Sequence, residues 1–238
     1  MTFTPIVSLS FFRFSRLQDR LWAFAMMGLA RRDVPKVPDI GFWKLCGSGT
    51  GEGFTPVPNT GVYAILASWP DLDIARDRIA TAPLWQRYRA RAAEDWTVFL
   101  QTTSARGQWS GQTPFTVSDN APSGPIAALT RATVKPRNAL KFWRRVPDIS
   151  RMIGSDQNVA FKIGIGEVPL LHQITFSIWP HAGAMTQFAR NNGPHAAAIR
   201  AVRSEDWFSE ELYARFALLG EAGTWGGSSP LDNLERNA

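Results

Sequence analysis

Cysteine is nearly missing from this chain. Cys46 is the one thiol in 238 residues, so no internal disulfide can form and a reducing, cytoplasmic setting is the simpler expectation. Histidine is almost as scarce, with His172, His181 and His195 the full complement. A zinc cage built from protein side chains is therefore not expected. The HExxH and CxxC spacings, a G-x-S-x-G elbow and a G-x-G-x-x-G turn opening a helix are all absent, which removes the commonest hydrolase, thiol-redox and dinucleotide-binding readings. Dense basic tracts are missing too, because the arginines stand singly among aromatics, as at Arg87, Arg89 and Arg91. Nucleic acid is accordingly not an expected partner.

Long apolar runs are also lacking. Leu21 to Ala30 (LWAFAMMGLA), preceded by Arg13, Arg16 and Arg20, has the outline of a secretory leader, but Asp19 interrupts it. The run is too short to span a bilayer, so any membrane contact would be peripheral.

What the chain does contain is apolar and basic. Hydrophobic residues make up 45%, enough for a sizeable core, and ten tryptophans are spread along the length. The formal charge of +6 favours acidic partners, either an acidic protein or anionic lipid.

The tryptophans mark an internal repeat. The first copy reads FWK (Phe42 to Lys44), ASWPD (Ala67 to Asp71), EDW (Glu94 to Trp96) and GQWSG (Gly107 to Gly111). The second reads AFK (Ala160 to Lys162), SIWPH (Ser177 to His181), EDW (Glu205 to Trp207) and GTWGG (Gly223 to Gly227). Each opens with a strand-like run, Ile6 to Phe14 and Ile126 to Val134, followed by helical patterning over Leu17 to Ala30 and Ala139 to Ile153. Two further strands and a long helix carrying EDW complete the order strand, helix, strand, strand, helix, strand.

That order predicts an α+β fold of two tandem ferredoxin-like modules, residues 1–111 and 126–238, joined by the Pro- and Ser-rich linker 112–125. Each module leaves one sheet face uncovered. Pressed together, the two faces would close a pseudo-dimeric α/β barrel around a pocket.

Duplication also separates scaffold from site, since a polar residue opposite an apolar counterpart needs its own reason. His195 stands where copy one has Leu84, just after Pro194, on a stripe with Ala198, Ile199 and Val202. Such a histidine beside small residues has the form of an axial haem ligand; the alternative is a core histidine bonded to a backbone carbonyl. His172 stands opposite Val62, alternating with Ile174, Phe176 and Ile178, while Gln173, Thr175 and Ser177 form a polar row suited to lining an interior cavity. His172 thus reads as a second choice of ligand or a supporting neighbour. His181 replaces Asp71 in an exposed turn. Copy one alone carries a glycine-rich insertion, Cys46 to Phe54, which is not a P-loop and reads as a lid or a plain hairpin loop. Cys46 in that loop would be a poor rigid mount for a metal.

FWKLCGSGTGEGFTP (Phe42 to Pro56) and FKIGIGEVPLLHQITFSIWP (Phe161 to Pro180) closely resemble the spheroidene monooxygenase family of carotenoid biosynthesis, and WAFAMMGLARR and NALKFWRRVPDISRMIG are similar too. The resemblance implies an oxygen-dependent enzyme containing haem b that takes electrons from reduced ferredoxin. It also implies a keto group introduced at carbon 2 of an acyclic carotenoid through two hydroxylations and loss of water. His195 is then the expected iron ligand. The protein would be cytoplasmic, or peripheral on the inner or photosynthetic membrane. A relative acting on another apolar substrate, or a non-catalytic haem-binding protein, is the competing expectation.

Overall fold

The computed structural model describes residues 4–51, 53, 55–144, 159–190 and 207–235. Its strands are β1 (Ile6–Arg13), β2 (Trp43–Gly49), β3 (Pro58–Trp69), β4 (Glu94–Gly107), β5 (Ile126–Val134), β6 (Phe161–Gly166), β7 (His172–Trp179) and β8 (Phe208–Gly223). They close into one antiparallel barrel in the order β1-β3-β2-β6-β7-β5-β8-β4. Within it, β4-β1-β3-β2 and β8-β5-β7-β6 each have the ferredoxin-like order, so the expected double-module barrel is the fold observed.

Alternation in the strands decides what faces inward. Val7, Leu9 and Phe11 of β1, Val62, Ala64 and Leu66 of β3, and Ile174, Phe176 and Ile178 of β7 meet in one interior cluster. The interior is filled by side chains and not a pore. The polar row Gln173, Thr175 and Ser177 therefore faces outward, opposite to its expected role inside the barrel.

The two seams between the halves are unequal. β4 pairs with β8 from Trp96 to Gly107, whereas β2 meets β6 only at Gly47↔Gly166 and Ser48↔Ile165. The long seam carries a near-symmetric interlock. Gly107 lies against Leu212 and Gly223 against Trp96, both with positive φ (97° and 86°), so each chain can turn sharply where a Cβ would collide with the facing backbone carbonyl. Two residues on, Trp109 and Trp225 each swing under opposite ends of the barrel into the interior cluster. Glu210 accepts the backbone N–H groups of Ser110 (3.0 Å) and Gly111 (2.7 Å), and Glu94 accepts that of Gly227 (2.7 Å). Each half thus supplies a glutamate that holds the other half's turn.

Helices α1 (Leu17–Leu29), α2 (Leu72–Thr81) and α3 (Pro83–Arg89) cover the outer face of the first sheet. Asp71 caps α2, its carboxylate accepting from the Ile74 N–H at 2.8 Å. In the second half His181 takes that position for α4 (Ala182–Arg190), Nδ1 accepting from the Ala184 N–H at 3.1 Å. The long helix expected to carry EDW is instead two helices broken at Ala82-Pro83, and Glu94, Asp95 and Trp96 begin strand β4. A last short helix, α5, spans Asp232–Glu235.

Candidate functional site

Strand register gives the equivalence of the two halves directly. Ile6 faces Trp69 and Ile126 faces Trp179, which sets Phe11 against Arg131, Trp96 against Leu212 and Val62 against His172. Phe42 falls against Phe161, one residue away from the FWK and AFK match, so Lys44 stands opposite Ile163 and Ser48 opposite Glu167. Four of these exchanges, Arg131 for Phe11, His172 for Val62, Lys44 for Ile163 and Glu167 for Ser48, place a charged or polar residue at the Trp109 end of the barrel.

The two barrel ends consequently differ in chemistry. At the Trp225 end, Phe11 stacks on Trp96 (5.5 Å between centroids), Phe161 meets Trp96 at 4.7 Å, and the Arg13 guanidinium lies 4.4 Å over Trp225. A cleft of about 730 Å³ opens there where β2 and β6 part, lined by Arg13, Arg20, Ser48, Asn59, Phe161 and Lys162 among others.

At the Trp109 end, Glu167 is the hub. Its carboxylate accepts from Trp109 Nε1 at 2.7 Å, pairs with Lys44 Nζ at 3.0 Å, and lies 3.8 Å from the guanidinium of Arg131. Arg131 is only 1% exposed and also pairs with Glu210. Burial of that arginine is tolerable because two carboxylates and the Trp109 ring, 5.7 Å away, surround it. Burial alone would push the Glu210 carboxyl up. The Gly111 and Ser110 N–H groups and the Arg131 charge outweigh it and hold the pKa below the usual range.

His172 begins β7 and points into this cluster, with Nδ1 3.5 Å from Glu167 but outside hydrogen-bonding geometry. Burial lowers its pKa, Glu167 opposes the shift, and Arg131 and Lys44 add to it, so the ring is neutral at pH 7. Arg131 Nε is likewise buried without a hydrogen-bond partner among the described residues.

Cys46 is not in the glycine-rich loop as expected. It lies on β2, fully buried in the interior, and burial raises its thiol pKa well above the ordinary value. A neutral, enclosed thiol does not fit thiolate ligation. His172 lines none of the three described cavities. Among the described residues, no cluster of His, Cys, Asp and Glu has the form of a protein-held metal site.

The outer face of the second sheet is different. Where the first sheet buries Leu45, Tyr63, Ile65, Phe12 and Phe99 under helices, the equivalent residues are Gly164, Gln173, Thr175, Ala132 and Arg215. Small and polar groups replace four bulky apolar ones and a tyrosine. His195 lies outside the described residues. His181, the helix cap, takes no part in either region.

Sequence reasoning passed over Arg131, Lys44, Glu167 and Glu210. One signal was present: in IAALTRATV, Arg131 falls on the same alternate face as Ala127 and Leu129, which a solvent-facing arginine would not share.

No protein-family model matches the chain. It is 54% identical over 237 residues to a spheroidene monooxygenase of Rhodobacter capsulatus, covering 98% of each chain. It is 52% identical to a spheroidene monooxygenase of Cereibacter sphaeroides, over 94% of this chain and 70% of that one. Against a spheroidene monooxygenase of Rubrivivax gelatinosus it is 35% identical, over 87% and 80% of the two chains. Among solved structures, an aldoxime dehydratase superposes with a TM-score of 0.56 at 10% identity, covering 90% of this chain and 81% of that one. A second, crystallised with butyraldoxime, gives 0.55 at 9% identity over 97% and 85%. At that identity the likeness shows a shared fold and nothing of function.

Proposed function

The chain belongs to the spheroidene monooxygenase family and is a monooxygenase, and from that premise we propose that its substrate is an acyclic carotenoid of the spheroidene type. The identity of 54% along 98% of both chains carries this reading. The reaction is two oxygen insertions at carbon 2, each taking one atom from O2 while two electrons and two protons reduce the other to water. Loss of water from the resulting gem-diol leaves the ketone. Reduced ferredoxin supplies the electrons, and the basic surface, +6 overall, suits an acidic protein of that kind.

The proposal includes haem b, which when bound supplies the oxygen activation that no described side chain provides. Its support is the relief on the outer face of the second sheet. Gly164 and Ala132 carry little or no side chain there, and Gln173 and Thr175 offer hydrogen-bond donors in that layer. His195 is the proposed iron ligand, because it aligns with Leu84, which is 2% exposed and packs with Tyr63, Ile65 and Phe99 over the equivalent face of the first sheet. His172 is assigned a supporting place beside Glu167. Peripheral contact with the membrane that dissolves the carotenoid belongs to the same reading.

Purified, haem-loaded protein incubated with spheroidene, reduced ferredoxin and O2 is expected to form the 2-keto product; no oxygenated carotenoid under turnover overturns the substrate assignment. His195→Ala is expected to lose the Soret band and most bound haem. An unchanged Soret band and haem content would sink the ligand assignment.

A further inference from the structure

Helix α1 is apolar on the side that faces solvent. Its buried side packs Ala23 and Met26 on the first sheet, yet Leu17, Leu21, Phe24 and Leu29 stand 72%, 62%, 67% and 58% exposed. Spaced at i, i+4 and i+7 with Leu29 following, they form one ridge, continued by exposed Ala25 and Gly28. A soluble surface rarely leaves so much contiguous apolar area to water without a partner.

Charge around the ridge has one sign. Arg16, Arg31 and Arg32 are exposed beside it and Arg20 is half-buried, whereas Asp19, the one carboxylate within residues 16–32, is buried and paired with Arg91 at 3.4 Å. The ridge also borders an apolar groove of about 200 Å³ between Phe24 and Met27 on one side and Pro56, Val168 and Leu170 on the other.

We infer that α1 is an in-plane anchor that seats the protein on an anionic phospholipid bilayer, with Leu17, Leu21, Phe24 and Leu29 in the acyl boundary and the arginines among the headgroups. The groove then opens toward the lipid, where an apolar chain can enter without crossing water. Only this role of the groove rests on the carotenoid reading. No helix among the described residues is long and apolar enough to cross a membrane, and the ridge needs only to lie on one.

The test is co-sedimentation of the full chain with extruded vesicles, without substrate or reductant, so its outcome is independent of turnover. Wild-type protein is expected to pellet with phosphatidylglycerol–phosphatidylcholine vesicles, less with phosphatidylcholine alone, and less again at high salt. Leu21→Gln/Phe24→Gln should weaken partitioning at least about tenfold, with unchanged circular dichroism and melting temperature because both side chains are exposed. Arg16→Gln/Arg32→Gln should weaken binding to the anionic vesicles and leave the salt dependence smaller. Absence of pelleting with anionic vesicles, or equal pelleting of the apolar double variant, overturns the anchor. So does a wild-type dimer that the apolar double variant turns into a monomer with no vesicle binding in either, since the ridge would then be a contact between copies.

Discussion

Glu167 binds Lys44 of β2, Trp109 beyond β4 and, more distantly, Arg131 of β5, across the seam where β2 and β6 share only two residue pairs. Its counterpart Ser48 manages one such link, donating to the Gly164 carbonyl at 2.8 Å. The carboxylate therefore works as a latch, and removing its charge leaves Arg131 and Lys44 enclosed with too few acceptors. Breaking a buried pair from one side costs about 3 kcal/mol. Glu167→Gln is thus expected to lower the melting temperature by roughly 10 °C. A differential scanning measurement that moves by less than about 2 °C would show the seam to be held by its apolar contacts instead.

At the scale of elements, the two turn-holding glutamates make the long seam sensitive to acid. Burial pushes the Glu94 carboxyl up, but the Gly226 and Gly227 N–H groups, Arg13 and Thr224 bring it below its ordinary value, and Glu210 behaves alike. A carboxyl lowered in the fold binds fewer protons folded than unfolded, so its stabilisation is complete above about the ordinary value of 4.5 and drains as pH falls through the lowered one. His172, also lowered, adds the same sign at higher pH, stabilising fully above 6.5 and less below. Melting temperature should begin to fall as pH drops below 6.5 and fall further below 4.5, and Glu210→Gln should flatten the part of the curve below 4.5. A wild-type profile that is flat below 4.5 would refute the role given to both glutamates.

The same elements show why the sequence was partly readable. Strand β5 was legible because IAALTRATV alternates, and Gly-x-Trp marks both crossing turns because its glycines must take positive φ. The two EDW motifs misled. Trp96 lies opposite Phe11 inside the barrel, while Trp207 precedes β8, where register shifts at Thr133/Val134. Leu212, the structural match of Trp96, lies five residues beyond Trp207, and the bulge takes up only one of them, so the second EDW ends before the strand position that the first one occupies. The charged cluster was hidden for another reason. Lys44, Arg131, Glu167 and Glu210 come from four separate segments, and only barrel closure brings them together.

For the whole molecule, closure means that the inner core belongs to neither half alone, although the first sheet also buries residues under its own helices. The interior cluster draws Phe11, Trp96 and Val98 from one half and Phe176, Ile178 and Phe216 from the other, and Trp109 and Trp225 each close an end after the seam has formed. Separating the halves would expose all of these residues together with the edges of β4 and β8. At roughly 2 kcal/mol for each large side chain returned to water, the loss exceeds what a domain of this size has in reserve. Unfolding should therefore be a single transition, with tryptophan fluorescence and far-ultraviolet circular dichroism giving coincident curves in urea. Residues 1–111 expressed alone should associate or aggregate through the bare inner face, and should become soluble and monomeric per partner only when residues 112–238 are supplied. Two resolved transitions, or a first half that is monomeric and cooperatively folded by itself, would show that each sheet is stabilised chiefly by its own helices and that the barrel is a docking of finished domains.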